Sequence, residues 1–292
     1  MLRAGMTRAV VFLLLAALLL TAPASSADPP KDLPGTSVDY AYDGKDIRRP
    51  ALAWFARAYV PPEAAAAARP VPLIVFLHGT NKKLIKYRWM GGGHDPDLRA
   101  FIGEMVAKGT IEPVVIAAPS SVVKSQVLTS SWDYFDVDKF VAHTKQALAG
   151  TVAIDDTRVI VAGHSGAGCS TEGGLAALAT RKRPLLGLMS IDTCMRIWLA
   201  HRLARASKHT HVVVSYQTVS WTDRPFEDFR ATFVSDATKR GVGDGVLRTV
   251  EELHATQGAH QASVALSFER WLPQILAKPR ASAAGGASAV AP

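Results

Sequence analysis

The chain has 292 residues, of which 48% are hydrophobic and 20% are charged, and its formal net charge is +8. This composition excludes a disordered or fibrous protein, and the length fits one large globular domain or two small ones. The basic residues are scattered, and the densest cluster is only Arg181, Lys182 and Arg183, so no nucleic-acid partner is indicated.

The N-terminal segment has the three parts of a secretory signal peptide. A positive start is followed by the unbroken apolar run Ala9 to Leu20 and then by small residues. We predict a signal peptide over residues 1–27, cleaved after Ala24 or Ala27. The apolar run is shorter than the roughly 20 residues that a membrane-spanning helix needs, so we expect no stable membrane anchor after cleavage. The expected location is secreted or periplasmic.

Strands and helices alternate through the rest of the chain. Residues 37–42 and 52–60 are predicted strands with no helix between them, so they should form an antiparallel start to a sheet. The later predicted strands are 71–77, 113–118, 157–162, 185–191, 212–216 and 246–253, and the predicted helices are 98–107, 137–148, 166–180, 196–206, 225–239 and 261–276. This alternation predicts a mainly parallel, two-sided sheet. Residues 281–292 are rich in Ala, Gly and Ser, and we expect a disordered tail there.

One segment, VIVAGHSGAG from Val159 to Gly168, places a serine between a β-branched strand and a predicted helix. Ser165 stands at the apex, and the small residues Gly163 and Ala167 relieve crowding in such a sharp turn. The turn projects the serine hydroxyl above the sheet and places the Gly166 amide where it can stabilise an oxyanion. The alternative role for Ser165 is that of an ordinary helix cap.

This segment resembles the nucleophile elbow of the α/β-hydrolase superfamily, G-x-S-x-G, with Ala167 in place of the second Gly. The resemblance extends over nearly the whole chain after the signal segment. It implies an α/β-hydrolase catalytic domain over residues 28–280, with a mainly parallel sheet and helices on both faces. In that superfamily a strand ending in His-Gly precedes the elbow, and the loop after it donates the second oxyanion amide. His78-Gly79 matches this pattern, which implies Thr80 as the donor.

The same resemblance implies the order serine, acid, histidine along the chain. His260 lies after the last predicted strand and before the last predicted helix, where the family places its base, and His254 is the alternative. The acid is implied to be Asp192, at the end of the strand beside the nucleophile strand, or Asp223, after the next strand. We favour Asp192 because Asp223 is seven residues beyond Tyr216, where that next strand ends.

The chain has two cysteines, Cys169 and Cys194, and an even number is compatible with one disulfide in an oxidising compartment. In the strand order that the resemblance implies, Cys169 follows the nucleophile and Cys194 follows Asp192 at the same edge of the sheet. We therefore predict a Cys169–Cys194 disulfide that holds the Asp192 loop against the nucleophile helix. Two free thiols are the alternative.

Several aromatic residues are candidates for the substrate pocket. They are Trp132, Tyr134, Phe135 and Trp221, together with the long loop 81–99, although packing in the core would explain each aromatic residue equally well.

A metal site is not indicated. His94, Asp95 and Asp97 stand close together in the sequence, but no further ligand set is in view, and Asp95 is expected to cap the next helix. We therefore predict no metal.

The resemblance implies acyl transfer to water without a cofactor, in a secreted serine esterase that acts on a small-molecule or polymeric ester. A serine peptidase or amidase is the enzymatic alternative, because the same triad also cleaves amides. A binding protein that retains the fold without catalysis is the alternative outside enzymes.

Overall fold

In the computed structural model of the protein, the described residues are 33–42, 54–83, 85–120, 132–133, 135–221, 223–256 and 258–277. The predicted signal peptide and the predicted tail lie outside these residues, as does Tyr134. The strands are β1 (Thr36–Tyr42), β2 (Trp54–Val60), β3 (Val71–Leu77), β4 (Val115–Ser120), β5 (Ile154–His164), β6 (Gly187–Ile191), β7 (His211–Tyr216) and β8 (Arg248–Glu252). The helices are α1 (Pro62–Ala65), α2 (Leu98–Ala107), α3 (Val137–Ala147), α4 (Gly174–Ala179), α5 (Ile197–Ala204), α6 (Phe226–Arg240) and α7 (Ala259–Leu276), and a 3₁₀ turn spans Ser165–Gly168.

The described strands form one sheet in the order β1-β2-β4-β3-β5-β6-β7-β8. β1 pairs antiparallel with β2, β2 pairs antiparallel with β4, and each later neighbouring pair is parallel. The predicted antiparallel start and the predicted mainly parallel sheet are therefore confirmed. Because β5 lies between β3 and β6, the carboxyl ends of these three strands meet at one edge of the sheet.

β3 shows why the sheet is covered on both faces. All of its residues are buried, and alternate side chains enter different cores. Leu73, Val75 and Leu77 belong to the core shared with α3 to α6, whereas Ile74 and Phe76 belong to the core shared with α2 and α7. Because side chains alternate along a strand, such a continuous apolar run requires helices on both faces. The prediction of helices on both faces is confirmed.

The predicted helix over 166–180 is wrong, because the chain is interrupted between the 3₁₀ turn and α4. Gly174 has a φ of +51°, and its N–H donates to the Trp132 carbonyl at 3.2 Å. A Cβ on Gly173 would lie 2.4 Å from the Asp133 Cα, so another segment passes very close to this glycine. The absence of a Cβ on glycine permits this close approach. The spacing of apolar residues along the sequence does not reveal where a distant segment packs, so the break was not predictable from it.

Two boundaries affect the position of the site. β5 is longer than predicted and ends at His164, directly before Ser165. α7 begins at Ala259 rather than at residue 261, so His260 lies in the first turn of this helix and not before it. None of the helices in the described ranges has the length and apolar character that crossing a bilayer requires.

Candidate active site

Ser165 has a strained backbone at the end of β5. Its φ is +54°, in a region that non-glycine residues rarely adopt. A Cβ on Gly79 would lie 2.6 Å from the Ser165 Cβ, and a Cβ on Gly163 would lie 2.8 Å from the Leu175 side chain. Glycines therefore allow β3 and α4 to pack closely around the turn, which holds the serine at the carboxyl edge of the sheet.

Two backbone amide nitrogens lie close together beside Ser165. A Cβ on Gly79 would lie 2.9 Å from the Ser165 Oγ and 3.1 Å from the Gly166 N. A Cβ on Gly166 would lie 3.1 Å from the Thr80 N. The Arg88 guanidinium donates a hydrogen bond to the Thr80 carbonyl and so helps to fix this loop. The structure thus brings Thr80 and Gly166, the two predicted oxyanion donors, next to Ser165, the predicted nucleophile.

His260 and Asp192 are in direct contact. The His260 Nδ1 lies 2.5 Å from the Asp192 Oδ2, and Asp192 is fully buried. Asp192 directly follows β6, and its N–H donates to the Ser215 carbonyl of β7 at 2.7 Å. A neutral His260 that donates from Nδ1 to the carboxylate keeps its lone pair on Nε2. The contact therefore selects the tautomer that a general base needs.

Further donors hold Asp192 as a carboxylate. The Gln217 Nε2 donates to its Oδ2 at 2.7 Å, and the Arg224 Nη1 donates to its Oδ1 at 3.1 Å. The Trp221 Nε1 donates to Oδ2 at 3.3 Å. Burial raises the pKa of Asp192, but the hydrogen bonds from His260 and Gln217 and the charge of Arg224 outweigh burial, so the pKa lies below its ordinary value.

Neither Gln217 nor Arg224 was predicted from the sequence. Gln217 directly follows β7, the strand after which the alternative acid Asp223 was expected, so its position was the available signal. The Gln217 Oε1 accepts from the Ser220 N–H at 2.8 Å, which fixes the amide so that its nitrogen faces Asp192.

The alternative acid and the alternative base lie elsewhere. Asp223 lines the cavity beside Ser165, but within the described residues no hydrogen bond or ion pair joins it to His260. His254 is exposed in the segment after β8, and no contact with an acid is seen for it in the described ranges. Of the predicted acid and base candidates, the structure brings together only Asp192 and His260.

His164, the last residue of β5, connects this strand to the segment of His260. The His164 Nε2 donates to the His260 carbonyl at 2.8 Å, and the Ser263 Oγ donates to the same carbonyl at 2.8 Å. The two imidazole rings are stacked obliquely, with centroids 4.4 Å apart. Within the described residues no hydrogen-bond partner is seen for the Ser165 hydroxyl. In enzymes of this kind the hydrogen bond between a catalytic serine and its histidine is often long until substrate binds. His164, the residue before Ser165, therefore holds the backbone of His260, the predicted base.

His164 and His78 are buried, uncharged imidazoles beneath the site. Burial, and then the charge of His260, lowers the pKa of His164 to about 3. Burial lowers the pKa of His78 to about 4. The Trp132 Nε1 donates to the His78 carbonyl at 2.9 Å, which ties the end of β3 to the segment before α3. Both histidines therefore contribute packing and hydrogen bonds beneath the site.

Cys169 and Cys194 form a disulfide, with Cα atoms 5.3 Å apart, which confirms the predicted pairing. Cys169 directly follows the 3₁₀ turn that begins at Ser165, and Cys194 lies two residues after Asp192. Because β5 and β6 are neighbours, the disulfide joins the turn of Ser165 to the loop of Asp192.

A cavity of about 270 Å³ opens beside Ser165. Trp221 lines this cavity, and its ring meets the His260 ring edge-on at a centroid distance of 5.3 Å. Trp132 and Phe135, in contrast, are buried in the core shared with α3 to α6. Trp221 therefore lies at the cavity, as one alternative predicted. Trp132 and Phe135, the other described aromatic candidates outside loop 81–99, pack in the core, as the other alternative predicted.

The loop 81–99 contributes to the core and to ion pairs. Trp89 is buried, and Asp95 pairs with Arg88 at 2.5 Å. The expectation that Asp95 caps α2 is wrong, because Asp97 is the capping residue and accepts from the Arg99 N–H at 3.0 Å. Within the described residues no group of three or more His, Cys, Asp or Glu side chains is arranged to hold a metal ion.

The chain matches no sequence model of a protein family and no curated protein. Solved structures do match. A ferulic acid esterase is similar over 84% of this chain and 99% of its own, with a TM-score of 0.59 and 13% identity. A fluorophosphonate-binding serine hydrolase from Staphylococcus aureus is similar over 84% and 100%, with a TM-score of 0.55 and 10% identity. The chain has the α/β-hydrolase fold. An S-formylglutathione hydrolase from Agrobacterium tumefaciens, similar over 85% and 98% with a TM-score of 0.51 and 13% identity, agrees with that α/β-hydrolase assignment.

Loss of the disulfide should destabilise this α/β-hydrolase fold. The cross-linked cysteines are 25 residues apart, and chain entropy puts the contribution of such a link at about 3 kcal/mol. We expect the double variant Cys169→Ala/Cys194→Ala to have a lower free energy of unfolding in urea. Wild-type protein unfolded in the presence of a reductant is the control and should behave like the variant. An unfolding midpoint equal to that of the oxidised wild type would contradict the stabilising role.

The buried histidines should make stability depend on pH. In the folded protein His164 and His78 have lowered pKa values of about 3 and about 4, whereas in the unfolded chain they titrate near about 6.5. At a pH between the folded and unfolded pKa values, the unfolded chain binds more protons than the folded protein. The free energy of unfolding should therefore fall as the pH falls, by about 1.4 kcal/mol per pH unit for each histidine.

Urea unfolding across this pH window measures the effect. His164→Gln removes one titrating group and retains a hydrogen-bond donor, so its free energy of unfolding should fall less steeply with decreasing pH than that of the wild type. Equal slopes for the two proteins would show that His164 is not a buried neutral histidine.

Proposed function

We propose that the protein is a secreted serine hydrolase that cleaves a carboxylic ester through an acyl-enzyme intermediate. Ser165 is the nucleophile, His260 the base and Asp192 the acid. The observation that carries this proposal is the 2.5 Å contact between the His260 Nδ1 and the buried Asp192 carboxylate, at the edge of the sheet where Ser165 stands. A hydroxyl becomes an effective nucleophile when such an oriented imidazole can remove its proton.

In the first step the Ser165 Oγ attacks the ester carbonyl carbon while the His260 Nε2 takes the hydroxyl proton. The carbonyl oxygen becomes an oxyanion, and the amides of Thr80 and Gly166 stabilise it. Backbone donors of this kind need no reorganisation when charge develops, and each typically contributes about 10²- to 10³-fold to the rate.

In the second step the protonated His260 gives its proton to the departing alcohol oxygen, and Ser165 retains the acyl group. Asp192 stabilises the imidazolium that forms between these steps. Gln217 and Arg224 keep Asp192 ionised, so its negative charge is present when His260 becomes positive. Water then repeats the sequence as the nucleophile, with His260 as its base, and releases the acid product.

The similar solved structures support an ester as the substrate. One is named a ferulic acid esterase and another a fluorophosphonate-binding serine hydrolase. Export has separate support, because the first 27 residues have the signal-peptide pattern. Disulfides such as Cys169–Cys194 also persist mainly in oxidising compartments.

The nucleophile can be tested by labelling and by hydrolysis of p-nitrophenyl butyrate. Wild-type protein should react with a fluorophosphonate probe and hydrolyse the ester, and Ser165→Ala should lose both activities. Ser220→Ala is the matched control, because Ser220 is an exposed serine in the nearby loop after β7 and should retain both. An unlabelled wild type that is inactive on a panel of esters and amides would overturn the proposed function.

The acid can be tested with a pair of isosteric variants. Asp192→Asn should lower kcat by about 10³- to 10⁴-fold with little change in KM, because the amide no longer stabilises the imidazolium or the required tautomer. Asp223→Asn is the control and should stay within a few-fold of the wild type. Far-UV circular dichroism checks that Asp192→Asn is folded. A large loss in Asp223→Asn with an active Asp192→Asn would reverse the assignment.

A further inference from the structure

A second cavity, of about 400 Å³, also reaches Thr80. Its wall includes Lys82 and Lys83 from the loop after β3, and Gln261, which follows His260 in α7. The cavity beside Ser165 also has Thr80 in its wall. A ligand in the second cavity would therefore lie at Thr80, beside the proposed oxyanion site. The volume of the second cavity is sufficient for a small organic group.

The charges on the wall of this second cavity do not cancel. Arg88 lines it, but Asp95 pairs with Arg88 through contacts of 2.5 and 3.0 Å. Lys82 and Lys83 are exposed, and neither has an ion-pair partner among the described residues. The wall therefore carries two positive charges that no carboxylate of the described residues compensates.

The loop that carries the two lysines is pinned by Asn81. The Asn81 Oδ1 accepts from the Ile85 N–H at 3.0 Å, and the Asn81 Nδ2 donates to the Ile85 carbonyl at 2.8 Å. These two hydrogen bonds join Asn81, directly before the two lysines, to Ile85 after them. They restrain the chain on either side of the lysines before a ligand arrives, and such restraint lowers the entropy cost of binding.

The cavity beside Ser165 has a different charge balance. Its cationic residues are Arg196 and Arg224, and Asp223 lines the same cavity. Arg224 pairs with Asp192, and the formal charge of Asp223 offsets that of Arg196, so the formal charges around this cavity sum to zero. Trp221 adds an apolar wall. Of the two cavities that share Thr80, the one lined by Lys82 and Lys83 has the excess positive charge.

We propose that the cavity lined by Lys82 and Lys83 binds an anionic group, a carboxylate or a phosphate, on the ester that Ser165 cleaves. This inference rests on the proposed function, because the ester carbonyl must lie at Ser165 while the anionic group lies in the cavity. Two exposed lysines at short range favour an anionic substrate over a neutral analogue by about three- to ten-fold at low ionic strength. Salt reduces this preference because it screens exposed charges.

The test compares matched anionic and neutral esters. The p-nitrophenyl monoester of succinic acid carries a carboxylate on its acyl part, and p-nitrophenyl butyrate is its neutral partner. 4-Acetoxyphenyl phosphate carries a phosphate on its alcohol part, and phenyl acetate is its neutral partner. Wild-type protein should show a higher kcat/KM for at least one anionic ester than for its neutral partner. The pair that responds identifies the part of the substrate that occupies the cavity.

The double variant Lys82→Gln/Lys83→Gln should lower kcat/KM for the preferred anionic ester about three- to ten-fold and leave the neutral partner unchanged. The unchanged neutral activity shows that the variant is folded. Lys86→Gln is the matched control, because Lys86 is an exposed lysine of the same segment that stacks on the Phe55 ring at 4.2 Å. It is not part of the cavity wall and should leave both esters unaffected.

Equal effects of the double variant on anionic and neutral esters would overturn the anionic subsite, and so would a wild type without preference for either anionic ester. Both results leave the hydrolase proposal intact, because the neutral ester is still cleaved. If wild-type protein cleaves no ester, the hydrolase proposal fails. In that case, ligand-observed NMR with phenyl phosphate and monomethyl succinate on the Ser165→Ala protein decides the subsite, since binding that the lysine substitutions do not weaken would also refute it.

Discussion

The contact between the Asp192 carboxylate and the His260 imidazole is the interaction on which the rest of the site depends. A buried carboxylate is costly unless hydrogen bonds and opposite charge compensate for the lost water. Here the compensation comes from α7 through His260, from the end of β7 through Gln217, and from the segment before α6 through Arg224. One fully buried acid therefore requires three separate parts of the chain to converge at the carboxyl edge of the sheet.

The same edge concentrates backbone strain. Ser165, Asp192 and Met195 have φ values of +54°, +44° and +49°, and positions of this kind typically cost about 1–3 kcal/mol each. Such strained backbone conformations persist only where contacts with the surrounding structure enforce them. The Cys169–Cys194 disulfide is one such constraint, since it joins the turn of Ser165 to the loop of Asp192. The strained residues and the disulfide thus lie within a few residues of Ser165 and Asp192, which the proposed chemistry uses.

The alternation of strands and helices, the turn at Ser165 and the strand ending in His78-Gly79 were predictable from the sequence, because each depends on local residue types. The choice between Asp192 and Asp223 was harder, since it depends on which loop reaches the first turn of α7 across the sheet. Gln217 and Arg224 were missed because amide and guanidinium side chains have no distinctive pattern until the fold places them beside a buried acid. The break in the predicted helix 166–180 was missed for a similar reason, because it arises where a distant segment packs against a glycine.

The order of the site groups along the chain has a consequence for synthesis. Thr80, Ser165 and Asp192 come from the first two thirds of the sequence, whereas His260 comes from α7, the last described helix, which packs against β6 and β7. A growing chain that has reached only β7 contains the proposed nucleophile and acid but no base, and a serine without a base is unreactive. On the proposed mechanism, reactivity therefore first appears when α7 docks, so a chain that lacks α7 contains the serine without its base.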